Sequence, residues 1–105
     1  MLSEIIKAFE KRNPGVASFE TFAAECMAGM KGDPANASIY LLLGLTARQF
    51  YDQFSDQPLT LERANETRKR MVALAQKADA ALREPANAKL DVLNRIALEA
   101  FGGAG

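Results

Sequence analysis

Apolar residues recur along the chain at the three- and four-residue spacing of an amphipathic helix in five separate stretches. The first covers residues 2–12 and stops at residues 13–15, because the residue before Pro14 avoids the helical region. The second is expected to start from an N-cap at Ser18 and to end with Gly32 in the C′ position, which favours glycine. The whole pattern predicts an all-α chain, folded as a small antiparallel bundle of about five helices.

The third stretch, residues 33–54, is the helix around which the others are expected to close. Asp33 is a suitable N-cap, and Pro34 suits the first helical position, where a missing N–H costs nothing. One face of this helix is continuously apolar and consists of Leu43, Gly44, Ala47, Phe50, Tyr51 and Phe54. In its N-terminal half the opposite face is apolar too, since it carries Leu41, Leu42 and Leu45. A helix that is apolar all round is either buried or offers a surface to a partner.

Two further helices complete the predicted bundle. A turn at residues 55–58 precedes a long, polar fourth helix over residues 61–82, capped by Thr60. Its expected core face is Leu61, Ala64, Met71, Ala75, Ala78 and Leu82. After Pro85, the fifth helix is expected to bury Leu90, Leu93, Ala97, Ala100 and Phe101. We therefore predict a single helical domain over residues 1–101 and a flexible glycine-rich tail over residues 102–105.

The tetrapeptide Pro-Ala-Asn-Ala occurs at residues 34–37 and again 51 positions later, at residues 85–88, each time at the start of a predicted helix. Either the chain contains two duplicated helical hairpins, or one good helix start is used twice. Residues 33–37 with Tyr40, Leu43 and Gly44 also resemble the first helix of a tetratricopeptide repeat. The second helix of that repeat is not matched and no copy follows at its period, so this local resemblance gives no family.

The sequence has no histidine and a single cysteine, Cys26, and these two counts exclude most catalytic and metal chemistry. Without histidine there is no Ser-His-Asp or Cys-His nucleophilic site and no zinc or haem held by histidine. The scattered carboxylates form no calcium-loop pattern and no opposed pair of acids. We therefore expect no enzymatic activity, no cofactor and no metal, and we interpret Cys26 as a buried core thiol.

Charge and hydropathy limit the partners. Thirteen basic and thirteen acidic residues give zero net charge, so no long-range field attracts nucleic acid or an anionic membrane. The lone cysteine fits a reducing compartment, and the longest apolar run, residues 39–45, is too short to span a bilayer, so we expect a cytoplasmic protein. The one basic stretch is Arg63, Arg68, Lys69, Arg70 and Lys77. Acidic residues lie between its members, which disfavours nucleic-acid binding.

The most suggestive surface lies on the third helix. Tyr40 and Tyr51 bracket two small residues over three turns, a shape that lets another helix cross closely. This crossing is either internal or part of an exposed interface with an arginine at its rim. We predict binding of a protein partner, as a homodimer or as a small regulator or adaptor, through Tyr40, Leu41, Leu42, Gly44, Leu45, Arg48 and Tyr51. The alternatives are a bundle that binds a small apolar ligand between helices two, three and four, and a nucleic-acid-binding regulator that uses helix four.

Overall fold

The computed structural model describes residues 2–54 and 59–102, and within these ranges the chain forms five α-helices and no strand. The helices are α1 (Leu2–Lys11), α2 (Val16–Gly32), α3 (Ala37–Asp52), α4 (Leu61–Ala81) and α5 (Ala86–Ala97). A 3₁₀ turn, Pro34–Asn36, precedes α3, and a π-helical turn, Leu98–Gly102, extends α5. The predicted all-α bundle is confirmed. The predicted turn at residues 55–58 and residues 103–105 of the predicted tail lie outside the described residues.

The helices form two antiparallel hairpins, α2–α3 and α4–α5, and α1 packs across α2 and α4. Lys89 in α5 donates a hydrogen bond to the Asn36 side chain, just before α3, at 3.2 Å. At the other end of α3, Phe101 lines a groove together with Gln49 and Gln53. α3 and α5 therefore lie side by side and run in the same direction, with the two Pro-Ala-Asn-Ala segments at the same end.

The core is built from aromatic rings that α1, α2 and the end of α3 bring together. Phe9 of α1 packs edge-on against Phe19, with 5.2 Å between centroids, and lies 4.8 Å from the Phe22 ring. Phe19 makes further edge-on contacts with Phe50 at 6.4 Å and Phe54 at 5.9 Å. Such pairs add to the free energy gained by apolar burial. This aromatic cluster anchors α1 on the α2–α3 hairpin.

Arginine side chains fasten the C-terminal end of α1. Arg68 of α4 donates to the carbonyl oxygen of Arg12 at 2.9 Å and to that of Glu10 at 3.4 Å. The Arg12 side chain donates to the Glu25 carboxylate of α2 at 2.6 Å. The last carbonyls of a helix have no partner within the helix, and cationic side chains commonly supply one. The end of α1 is thus bonded to both α4 and α2.

The ends of the helices agree with the sequence prediction only in part. Thr60 caps α4 as predicted, its hydroxyl accepting from the Arg63 backbone N–H at 3.1 Å. Ser18 does not cap α2: the helix already begins at Val16, and the Ser18 hydroxyl donates to the Gly15 carbonyl oxygen at 2.9 Å. Gly32 lies inside α2 rather than at C′. Asp33 precedes the 3₁₀ turn instead of α3, and its carboxylate accepts from the Asn36 side chain at 3.0 Å.

The predicted core faces of α4 and α5 need two corrections. On α4, Leu61 is exposed in the first turn of the helix, whereas Met71, Ala75 and Ala78 are buried as predicted. On α5, Leu90 and Phe101 are exposed, and Ile96, which the pattern missed, is buried. Apolar residues occupy more than one side of α5, so their spacing alone could not fix which side turns to the core.

Candidate functional site

The crossing of α2 and α3 occupies part of the surface that was assigned to a partner. A Cβ atom placed on Gly29 would lie 2.6 Å from Cδ1 of Tyr40, and one placed on Gly44 would lie 2.7 Å from Cε of Met27. Tyr40 and Gly44 are both buried. Burial, followed by the Asp33 carboxylate, raises the pKa of the Tyr40 phenol. Both residues belong to an internal helix crossing, so the structure removes them from the accessible part of the predicted interface.

The other residues of the predicted interface differ in how far they are exposed on the outer side of α3. Leu41 and Leu45, one turn apart, are 39% and 40% exposed, and Arg48 follows on the same side. Leu42 and Tyr51 are half-buried and pack against the core. Leu41, Leu45 and Arg48 are therefore the members of the set that a partner can reach directly.

α5 and its π-helical extension expose three large apolar side chains that sequence reasoning did not place on the surface. Leu90, Leu98 and Phe101 are 57%, 67% and 46% exposed. Leu90, Asn94 and Leu98 follow one another at four-residue spacing, which places them on one side of the helix. A π-helical turn is rare and often marks a functional position, and here it carries two of the three side chains.

The exposed sides of α3 and α5 turn to the same side of the molecule. α2 covers the side of α3 that carries Tyr40 and Gly44, and α5 lies beside the side that carries Gln49. α4 lies beside the side of α5 that carries Asp91, Val92 and Arg95, with which it lines a groove, and Lys77 of α4 pairs with Glu99 in the π-helical turn. Phe101 shares a groove with Gln49 of α3 and Arg70 of α4. Leu41, Leu45, Leu90 and Leu98 lie on the remaining sides of the two parallel helices, and we call these four leucines the outer apolar face.

Four of the five basic residues of α4 make contacts within the fold, and the fifth, Lys69, is exposed. Arg68 bonds the end of α1, and the guanidinium groups of Arg63 and Arg70 each lie over a phenylalanine ring, 5.5 and 5.1 Å from its centroid. Lys77 forms an ion pair with the Glu99 carboxylate of the π-helical turn at 3.4 Å. Cations used for helix capping and cation–π contacts do not form a stripe that follows phosphates. The arrangement gives no support to nucleic-acid binding through α4.

The space between α2, α3 and α4, where an apolar ligand was the alternative, is filled by side chains. Phe19, Phe22, Leu43, Phe50 and Met71 are each no more than 1% exposed. A groove of about 460 Å³ lies instead between α4 and α5, where it opens to solvent and has a charged rim. Among the described residues, no group of three or more Cys, Asp or Glu side chains is placed to hold a metal ion. None of the described helices combines the length and the hydropathy needed to cross a membrane.

Cys26 lies on the buried side of α2, within the core, as its spacing predicted. Its side chain has no exposed surface. Burial, followed by the neighbouring Glu25 carboxylate, raises the pKa of the thiol from 9.0 to about 12. The thiolate is the reactive form of cysteine, so the folded protein holds Cys26 in its unreactive state.

We predict that Cys26 makes stability fall with rising pH between 9 and about 12. In that range the unfolded thiol ionises while the folded thiol stays protonated, so the unfolded state binds fewer protons and is favoured. Urea denaturation measures the free energy of unfolding at about pH 8 and at about pH 10.5. Between these two values it should fall further for the natural protein than for Cys26→Ala. The Ala variant is the control for every contribution to the pH dependence that does not come from Cys26. An equal pH dependence of the two proteins would contradict the raised pKa.

Comparison with known proteins gives no match. No family model matches the chain, no curated protein is similar to it, and no solved structure matches it. The interpretation of the outer apolar face therefore depends on its own residues.

Proposed function

We propose that the protein is a small non-enzymatic interaction module, a regulator or adaptor, whose outer apolar face binds a helix of a protein partner. The observation that supports this best is the exposure of Leu41 and Leu45 on a helix whose other sides are buried. A leucine on a surface that faces no other helix gains nothing for the stability of the monomer, whereas its burial against a partner is favourable.

The size and grouping of the face also support the proposal. Single exposed apolar residues are ordinary on soluble proteins, but a group of large ones on two adjacent helices is typical of an interaction site. A partner helix binds such a surface through anchors spaced three and four residues apart along its own sequence. Arg48 lies at the rim of the face, the position at which interfaces place polar and charged groups.

A site-specific crosslink tests the proposal. We expect a photoreactive benzophenone amino acid in place of Leu45 to form protein adducts in a lysate of the source cells, with either a second copy or another chain. The matched control carries the same amino acid in place of Lys7, which is exposed on α1, the helix packed on α2 and α4. Mass spectrometry then identifies the adduct.

Leu41→Asp should remove the adduct formed at position 45, because it places a charge in the middle of the face. Helix content, measured by circular dichroism, should stay unchanged, since Leu41 is exposed in the monomer. No adduct at position 45, or equal adducts at positions 45 and 7, would argue against the proposed function. Loss of helix content in Leu41→Asp would mean that this leucine stabilises the core.

A further inference from the structure

The outer apolar face is self-complementary, and we propose that it binds a second copy of this chain about a two-fold axis, α3 antiparallel to α3 and α5 antiparallel to α5. This inference rests on the proposed function, because it uses the same face and names its partner. In a two-fold dimer, a residue i that contacts residue j of the other copy is matched by j contacting i. Both helices meet that condition about one axis.

The leucines of each helix are arranged symmetrically about a central residue. Leu41 and Leu45 lie on either side of residue 43, so a second α3 running antiparallel about that point places Leu41 against Leu45 of the second copy. Leu90 and Leu98 lie on either side of Asn94, so a second α5 places Leu90 against Leu98 of the second copy in the same way.

From the contacts between α3 and α5 we infer that the two central residues lie at about the same level of the molecule. Residues 43 and 94 are 51 positions apart, the same separation as the two Pro-Ala-Asn-Ala segments at the common end of α3 and α5. The bond from Lys89 to Asn36 holds the beginnings of the two helices side by side. A single two-fold axis, perpendicular to both helices, therefore satisfies the pairing of α3 and the pairing of α5 together.

The charges beside the α5 seam favour the antiparallel arrangement. Asp91 and Arg95 are exposed on the side of α5 that borders the α4–α5 groove, next to the leucine seam, and neither forms an ion pair with another described residue. At a rise of about 1.5 Å per residue, pairing about Asn94 brings Asp91 to within about 3 Å, along the helix axis, of Arg95 of the second copy. Two ion pairs then flank the axis, one on each side. A parallel pairing would instead place each of these charges against its own kind.

The zero net charge of the chain fits a self-associating protein, because the two copies do not repel each other at long range. The dimer would cover the large side chains of the outer apolar face on both copies at once. It would leave α1, which packs on α2 and α4, at the outside of the assembly.

The arrangement predicts that Asn94 meets Asn94 of the second copy, and this can be tested with one engineered thiol. In Asn94→Cys the two thiols lie close together on the axis, so a short bismaleimide should convert the protein into a covalent dimer. Asn87→Cys is the matched control: it is exposed, and it lies two turns earlier on the same side of α5. Its two copies would be about 21 Å apart. We expect at least a tenfold lower yield of covalent dimer from Asn87→Cys than from Asn94→Cys.

The natural cysteine does not interfere with this measurement. Cys26 has no exposed surface, and burial raises the pKa of its thiol to about 12. Equal crosslinking of Asn94→Cys and Asn87→Cys would overturn the antiparallel arrangement.

A charge exchange tests the same geometry without a crosslinker. Asp91→Arg and Arg95→Asp should each raise the dissociation constant of the dimer at least tenfold, measured by light scattering over about a hundredfold dilution. The two substitutions in one chain should restore association, because the ion pairs re-form with their signs reversed.

The outcomes separate this inference from the proposed function. A monomer at every concentration would overturn the second copy as partner, while a crosslink from position 45 to another protein would still support the interaction module. A dimer that Leu41→Asp disrupts but the charge variants leave unchanged would support the outer apolar face and overturn this pairing. No adduct at position 45 and no dimer would overturn both.

Discussion

Replacing Phe9 with alanine should lower the free energy of unfolding by about 3–5 kcal/mol, the largest effect we expect from a single substitution. The Phe9 side chain has no exposed surface and touches the rings of Phe19 and Phe22 at centroid distances of 5.2 and 4.8 Å. Its removal leaves a cavity between α1 and α2 that the neighbouring rings can close only in part. Domains of this size are typically stable by about 5–15 kcal/mol, so the loss takes a large share of the total.

Urea denaturation followed by circular dichroism measures this loss. Phe101→Ala is the matched control, since it removes the same side chain from a position that is 46% exposed. Away from the core, substitutions usually change stability by no more than about 0.5 kcal/mol, so Phe101→Ala should cost far less than Phe9→Ala. Similar losses for the two variants would mean that the aromatic cluster does not anchor α1.

Replacing Gly29 with alanine should lower the free energy of unfolding by about 1–3 kcal/mol, the cost of overpacking a filled core. The new Cβ would lie 2.6 and 2.7 Å from two carbons of the Tyr40 ring. The ring is rigid and completely buried, so it cannot move aside, and the two helices must separate. The gain of about 1 kcal/mol in helix propensity from glycine to alanine is too small to offset this separation.

Gly44→Ala on the other side of the same crossing provides the comparison. Its Cβ would meet the terminal methyl group of Met27 at 2.7 Å, and that flexible side chain can turn away. We therefore expect the stability of Gly44→Ala to stay within about 1 kcal/mol of the natural protein. In a double-mutant cycle, Tyr40→Leu should remove most of the cost of Gly29→Ala. Equal losses for the two glycine variants would contradict this account of the crossing.

The helices themselves could be predicted from the sequence because their apolar residues keep one period. The first stretch, residues 2–12, predicted α1 from the spacing of its apolar residues, and those residues, Leu2, Ile5, Ile6 and Phe9, are all buried. The beginnings of α2 and α3 could not be predicted in the same way. Ser18 and Asp33 are both good caps, but each side chain found another hydrogen-bonding partner within three residues. Competing bonds at such short range differ too little in energy for the sequence to decide between them.

The candidate interface could be predicted from the sequence only in part. The excess of leucines on α3 pointed to Leu41 and Leu45, because no choice of buried face accommodates every apolar residue of that half-helix. Which helix covers Tyr40 depends on tertiary packing. The one sequence feature that indicates α2 is Gly29, a small residue that leaves room for the Tyr40 ring. No such residue indicates which side of α5 is buried. Whether Ile96 or Leu90 turns to the core depends on where α3 and α4 lie.

The turn between α1 and α2 has a practical use that follows from its bonds. Arg12, at one end of residues 13–15, is held by α4 through its carbonyl oxygen and by Glu25 of α2 through its side chain. α1 is therefore kept in place by side chains from other helices, and not by the shortness of the connection. The free-energy cost of lengthening a loop grows only slowly with its length. A fluorescent reporter can accordingly be inserted at residues 13–15, where it leaves both chain ends and the outer apolar face unlabelled.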